Sequence, residues 1–227
     1  MTYKEKVVLG DCTLYLGDCM DYMATLPDKA FDLAIVDPPY GIGESQKKRE
    51  NSPQRWNSPI KKIHNPKDWD KKAPEPEYFE LLRRVSLHQI IWGANHFIDS
   101  FPFSANSPCW IVWDKKNGDT DFSDCELAWA SFPSAVRKFD WLWNGFQKQK
   151  PEARIHPTQK PIALYEWLLT NYAKPGQKIF DTHLGSGSSS IACSNLGYEM
   201  VGIELDKDYY RAACERIDQA QRQQRMF

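Results

Sequence analysis

No Cys-x-x-Cys pair occurs in this 227-residue chain; its six cysteines (Cys12, Cys19, Cys109, Cys125, Cys193, Cys214) are scattered. Such spacing argues against a zinc site or a disulfide framework and leaves reduced, partly buried thiols as the expectation. Long apolar runs are missing too. The opening MTYKEKVVLG reads as neither signal peptide nor membrane span, so a soluble cytoplasmic protein with no membrane partner is expected. Nor is there an excess of one charge: 29 Lys/Arg face 30 Asp/Glu, a formal net charge of −1. Any nucleic-acid surface must therefore be local. What is present is ordinary globular composition, 41% hydrophobic and 26% charged. That supports a real core and one domain spanning residues 1–227.

Along the chain, Val7–Leu9 and Thr13–Leu16 read as short strands around Gly10-Asp11. Asp18–Leu26 reads as a helix capped by its aspartate and ended by Pro27-Asp28. Leu33–Val36 is a continuous apolar run, as in strands buried on both faces of a parallel sheet. From Glu44 to Glu75 the pattern dissolves, and nine Lys/Arg against five acids make this a long basic loop, locally +4. Pro76–Val85 looks helical, and HQIIWGANHF, CWIVWDK and ELAWASF each contain a strand. Then come a helix over Pro161–Tyr172, a strand in QKIFD, the small-residue turn THLGSGSS and a helix over Ser190–Leu196. The strand EMVGIELD and a helix over Asp208–Gln221, with Tyr210, Ala213, Cys214 and Ile217 on one face, complete the chain. This alternation predicts an α/β fold with a doubly wound, mostly parallel sheet.

Two turns carry candidate chemistry. In Asp181-Thr-His-Leu-Gly185-Ser186-Gly187 a strand ends and a helix begins, and Glu204 follows 19 residues after Gly185 at the end of the next strand. Glycines there allow close backbone approach to a nucleoside, and the acid accepts hydrogen bonds from ribose hydroxyls. A helix-entry turn with small residues for packing is the plainer alternative. Three serines follow Gly187, so a dinucleotide fingerprint's third glycine is absent, and a cofactor without pyrophosphate fits better than NAD.

The second turn, Asp37-Pro38-Pro39-Tyr40, ends the strand LAIV. A carboxylate beside a prolyl-constrained carbonyl offers two acceptors to an amino group with two donors. Tyr40 offers a face on which a planar base can stack. A strand terminator is the alternative, although an aspartate buried there is costly without partners.

With HPTQKP at 156–161, these segments resemble the amino-group DNA methyltransferases, which transfer a methyl from S-adenosylmethionine to adenine N6 or cytosine N4. The order of DPPY block before Gly-rich block is similar to the β-group, which implies a circularly permuted, Rossmann-like sheet. YLGDCMDYMATLPDKAFDLAIVDPPY, IIWGANHF and VWDKKNG extend the likeness over most of the chain. The resemblance implies that Asp37 and the Pro38 carbonyl accept from the target amine, with Pro39 shaping the turn and Tyr40 stacking on the extruded base. It also implies that Asp181, Gly185, Ser186 and Gly187 shape the S-adenosyl-L-methionine pocket, and that Glu204 holds the ribose. Asp18 and Cys19 would lie at the cofactor's adenine, Thr158 and Lys160 at its methionine part with Lys160 facing the carboxylate, and no metal is required. His156 is equally readable as a structural hydrogen-bonder. His183 and Thr182 depart from the family, which usually has Phe and often Pro there.

DNA is the expected partner, and a homodimer is an analogy from the family. Surfaces to read DNA are sought in the 44–75 loop with Trp56 and Trp69, and in a candidate insert over roughly 115–155. Residues 137–160 hold six basic residues against two acids, interleaved with Trp141, Trp143 and Phe146. Trp92, Asn95 and the 110–113 strand read as core. Within the family the Asp form of the tetrapeptide leans toward adenine. A cytosine-N4 enzyme is the alternative, followed by an RNA methyltransferase or a nucleoside-binding DNA-binding protein without catalysis.

Overall fold

The computed structural model describes residues 3–42, 70, 72–118, 123–144, 147–150, 152 and 154–224. Within the 44–75 stretch, residues 44–69 and 71, with Trp56 and Trp69, lie outside the described residues, as does Phe146.

A hairpin opens the chain. β1 (Tyr3–Leu9) pairs antiparallel with β2 (Cys12–Gly17) across Gly10-Asp11. Helix α1 (Cys19–Ala24) follows, and the Asp18 side chain caps it by accepting from the Met20 N–H at 2.8 Å, as a helix-start aspartate should. β3 (Phe31–Val36) leads to the tetrapeptide; after the basic stretch come α2 (Pro76–Val85) and β4 (Ser86–Trp92). β5 (Trp110–Asp114), β6 (Cys125–Ala130) and β7 (Arg137–Asp140) extend the sheet. A two-residue ladder, β8 (Trp143–Asn144) with β9 (Gln147–Lys148), precedes α3 (Ile162–Tyr172). The last elements are β10 (Lys178–Asp181), α4 (Ser188–Leu196), β11 (Glu199–Glu204) and α5 (Lys207–Gln224).

The strands form one nine-stranded sheet, ordered β1-β2-β11-β10-β3-β4-β6-β5-β7. Its centre, β2-β11-β10-β3-β4, is parallel throughout, and β6 joins antiparallel to β4 and β5. Segment 115–155 thus supplies two strands to the main sheet. β3 divides its side chains between two cores because both its faces are covered. Leu33 and Ile35 pack with Leu164, Leu168, Ile191 and Ile217 of α3, α4 and α5. Phe31, Ala34 and Val36 pack with Met23, Tyr78, Phe79 and Leu82 of α1 and α2.

Strand order sets the site. β3 continues through α2 to β4 on one side, while its neighbour β10 continues through α4 to β11 on the other. The chain departs in opposite directions from two adjacent carboxyl ends, which opens a crevice where α/β proteins bind ligands. Among the described residues no helix is long and apolar enough to cross a membrane. All six cysteines are free thiols.

Candidate active site

The crevice is a cavity of about 500 Å³, lined from the ends of β2, β3, β10 and β11 and by the 156–160 segment. That volume suits a nucleoside-sized ligand. On the β10 side, Asp181 lies beneath the turn and not on the cavity wall. Its Oδ1 accepts from the His183 N–H at 3.0 Å and its Oδ2 from the Ser189 hydroxyl at 2.6 Å. Burial raises its pKa to about 6 against these donors. The Gly185 N–H donates to Glu204 Oε2 at 2.8 Å, and the Asp206 N–H to Oε1 at 2.8 Å. Burial pushes Glu204 up to about 7 despite both amides. Each oxygen keeps a second lone pair for a ligand hydroxyl.

Asp18, Cys19, Thr158, Gly185, Ser186 and Glu204 line the cavity, as do Asp37 and Pro39. Gly187 does not. A Cβ there would lie 2.8 Å from Ile217 Cδ1, and φ is +74°, so this glycine is set by the approach of α5, not by a ligand. His156 combines both of its readings: Nδ1 faces the Thr158 hydroxyl at 3.1 Å, the ring sits edge-on to Tyr209, and it lines the cavity. Arg216 of α5 joins the halves, donating to the Ser186 carbonyl at 2.8 Å and pairing with Glu152 at 2.9 Å. The Ser188 hydroxyl donates to the Lys160 carbonyl at 2.8 Å.

On the β3 side of the cavity, Asp37 Oδ1 accepts from the Tyr40 hydroxyl at 2.8 Å and Oδ2 pairs with Lys160 Nζ at 2.6 Å. Lys160 also reaches Glu126 Oε2 at 2.9 Å, and its side chain is only 3% exposed. Lys160 lines the cavity, as its motif leads one to expect, and there its ammonium pairs with the Asp37 and Glu126 carboxylates. Burial raises the Asp37 pKa while Lys160 opposes the shift; burial works against charge on Lys160, but Asp37 and Glu126 hold it protonated.

Tyr40 and Pro38 lie off the cavity wall. The Tyr40 ring stacks on His96, with centroids 4.9 Å apart and planes at 15°. Behind it Gly93 has φ +70°, and a Cβ there would sit 2.0 Å from Tyr40 Cε1. Gly93→Ala is therefore expected to cost about 1–2 kcal/mol in backbone strain alone and to push the Tyr40 hydroxyl off Asp37. Thermal melting and a turnover assay check this; a wild-type melting point with wild-type turnover would contradict it.

Several wall or support residues carry no motif in the sequence. Tyr78 hydrogen-bonds Thr182 at 2.6 Å, and Thr182 in turn meets His183 Nδ1 at 2.9 Å. Burial lowers the His183 pKa to about 4 and keeps the ring neutral. Glu126 had one signal, a lone acid inside the apolar strand ELAWASF. Trp92 and Trp113 are core, and Trp143 is buried and donates its indole N–H to the Gln159 carbonyl at 3.0 Å.

Residues 114–215 match the N6/N4 methyltransferase family model, described as DNA methylase. The chain is 25% identical over 224 residues to YubD of Escherichia coli (strain K12), a protein named as a methylase, covering 91% of this chain and 90% of that one. It is 27% identical over 148 residues to the type II methyltransferase M2.DpnII of Streptococcus pneumoniae, covering 64% of this chain and 54% of the relative. Among solved structures, the cytosine-N4-specific PvuII DNA methyltransferase superposes with TM-score 0.59 at 12% identity, covering 98% and 96% of the two chains. The M1.HpyAVI complex with S-adenosylmethionine gives 0.54 at 22% identity, covering 90% and 99%. At these identities the superpositions speak for the fold.

Proposed function

We propose that this chain is a DNA methylase of the N6/N4 kind, which uses S-adenosyl-L-methionine to methylate DNA, and that it acts on adenine N6; the match of residues 114–215 to that family model supports the reading. The observation that carries the proposal is the carboxylate of Asp37 on the wall of the same cavity that Glu204 lines. The adenine preference rests on the Asp form of the tetrapeptide.

The donor set fits the cofactor. Glu204 keeps acceptor capacity for ribose hydroxyls, Gly185 and Ser186 bring backbone to the cavity wall, and Asp18 and Cys19 line the wall where the adenine would lie. Thr158 and the neutral His183 line the wall where the remaining part would lie. When bound, the cofactor supplies a methyl group on a sulfonium, a good leaving group. The work left to the chain is alignment and activation of a weak nucleophile. Asp37 and the Pro38 carbonyl accept the two amino N–H groups, which localises the nitrogen lone pair. The nitrogen forms the new bond to the methyl carbon as the carbon–sulfur bond breaks, and one amine proton is then released. Tyr40 fixes the Asp37 carboxylate through its hydroxyl. For a base to stack on the ring face now covered by His96, that imidazole must give way. Extruding the base costs a few kcal/mol, which stacking and edge contacts offset.

A pH linkage follows from Glu204. Its folded pKa of about 7 lies above the ordinary 4.5, so the unliganded fold holds a proton that the unfolded chain gives up. The stability it contributes is complete below 4.5 and is lost as pH rises through about 7. Ribose hydroxyls favour the ionised form, so binding releases a proton and tightens as pH rises from 6 toward 7. Calorimetry near pH 6.5 in two buffers of different ionisation heat reads this. Proton uptake, or none in either direction, contradicts the ribose contact. Asp181 also titrates near this window, and a Glu204→Gln variant separates the two.

The direct test of function is incubation with labelled S-adenosylmethionine and DNAs of varied sequence, followed by digestion to nucleosides. Label in N6-methyladenine is the expected result. Label in N4-methylcytosine overturns the base assignment, and no label in any DNA overturns the reading.

A further inference from the structure

Behind Asp37, four charges of alternating sign run in line. Lys115 Nζ lies 2.6 Å from Glu126 Oε1, Glu126 Oε2 lies 2.9 Å from Lys160 Nζ, and Lys160 Nζ lies 2.6 Å from Asp37 Oδ2. They come from separate parts of the sheet: Glu126 is on β6, Lys115 directly follows β5, and Lys160 precedes α3. The ammonium has three donors and faces three acceptors: Asp37, the Tyr40 hydroxyl oxygen at 3.2 Å and Glu126.

These acceptors are unequal. Lys160 Nζ lies nearest Asp37 Oδ2 at 2.6 Å and donates to the Tyr40 hydroxyl oxygen at 3.2 Å, whereas it meets Glu126 Oε2 at 2.9 Å in an ion pair without a well-directed hydrogen bond. Each oxygen of Asp37 already has one partner, Tyr40 at Oδ1 and Lys160 at Oδ2, and keeps one lone pair. An amine that donates to Oδ2 competes with the ammonium for that oxygen and weakens its hold. Drawing a cation from its partner inside a closed interior is costly unless a second anion receives it. Glu126 is that anion, already in contact.

We propose that Glu126 is a positioning residue for methyl transfer: it takes up the Lys160 ammonium as the target amino group claims Asp37. The proposal rests on the methyl-transfer reading of Asp37. Lys115 supports the arrangement from behind. Burial works against charge on Glu126, but the Lys160 and Lys115 ammonium groups outweigh it and hold its pKa at about 2. The acceptor for Lys160 is therefore ionised across the working pH range.

Asp37 is faced by Lys160, by Tyr40 in its own turn, by Glu126 on β6, by Asp181 at the end of β10, by Tyr165 on α3 and by Tyr78 on α2, with Lys115 behind Glu126. After burial and the opposing Lys160, the Glu126 anion is the next influence, raising the Asp37 pKa. The two flanking charges can thus be removed one at a time with opposite consequences.

The test is kcat/KM for DNA against pH with S-adenosylmethionine kept saturating, since this ratio reports groups of the DNA-free enzyme. In Glu126→Gln the plateau is expected to fall about tenfold, because Lys160 is left with Asp37 as its one anionic partner. The acid limb moves to lower pH, and cofactor affinity is unchanged. In Lys115→Met the limb moves to higher pH, because one cation is gone and Glu126 draws Lys160 further from Asp37. Glu126→Asp restores part of the plateau lost in Glu126→Gln. Acid limbs that stay in place or move in the same direction overturn the proposal, as does a loss confined to cofactor affinity. If Glu126→Gln does not fold, Lys115→Met and Glu126→Asp decide it. A wild-type protein that methylates no DNA instead overturns the underlying reading of Asp37.

Discussion

Asp37→Ala is expected to lose at least ~100-fold in turnover, equivalent to about 2.7 kcal/mol of barrier, while S-adenosylmethionine affinity stays close to wild type. The two halves of that expectation have separate structural grounds. Turnover falls because the carboxylate that would accept the target amino group is gone, along with the acceptor that fixes the Tyr40 hydroxyl. Cofactor affinity survives because Asp37 follows β3, whereas Glu204, the proposed ribose acceptor, ends β11 and the Gly-rich turn follows β10. The fold survives because Lys160 keeps a carboxylate partner in the half-buried Glu126 at 2.9 Å. An ammonium stranded without any anion would instead destabilise the chain by several kcal/mol. Single-turnover methyl transfer and titration calorimetry measure the two halves. Methylation at a near-normal rate by the alanine variant removes Asp37 from the chemistry, and a collapse in cofactor affinity means the substitution acts through the pocket.

How legible this site is depends on how far its partners lie apart in sequence. LAIV followed by Asp-Pro-Pro-Tyr announces a buried parallel strand and a rigid, acid-bearing turn, because both signals are local. The link from Gly185 to Glu204 is readable too, since one helix between adjacent parallel strands nearly fixes that spacing. Lys160 shows the limit. Its motif places it at the cavity, yet which acid it meets depends on β6 lying across β4, a pairing that no local pattern encodes. Glu126 and Lys115 are hidden for the same reason. Tyr78 is masked differently: its spacing in α2 matches a core face, and only its hydroxyl at Thr182 marks it as part of the site. β7, four residues reading RKFD, has neither the length nor the alternation to declare itself. Gly187 illustrates that glycine reports close approach without saying of what: the motif points toward a ligand, and the neighbour is Ile217.

Glu204→Ala is expected to weaken S-adenosylmethionine binding by roughly 10- to 100-fold, the range implied by losing hydrogen bonds to a charged group at about 1.5–3 kcal/mol. Two losses combine in that figure. The ribose hydroxyls lose their acceptor, and the Gly185 and Asp206 N–H groups lose the carboxylate that holds the turn in register, each at 2.8 Å. Glu204→Gln distinguishes them. It keeps the side chain's length and one carbonyl acceptor, so it restores part of the turn but abolishes the proton release that ionised Glu204 contributes. The defect should also be one of binding more than of chemistry. At saturating cofactor the alanine variant recovers most of its turnover, because Asp37 and Tyr40 are untouched. That pattern, KM raised with kcat largely kept, is the signature of an interaction equal in ground and transition states. It is the reverse of what Asp37→Ala should show. Calorimetry that finds wild-type affinity in Glu204→Ala contradicts the ribose assignment. A variant whose kcat stays depressed at saturation places Glu204 closer to the transferring methyl than the end of β11 implies.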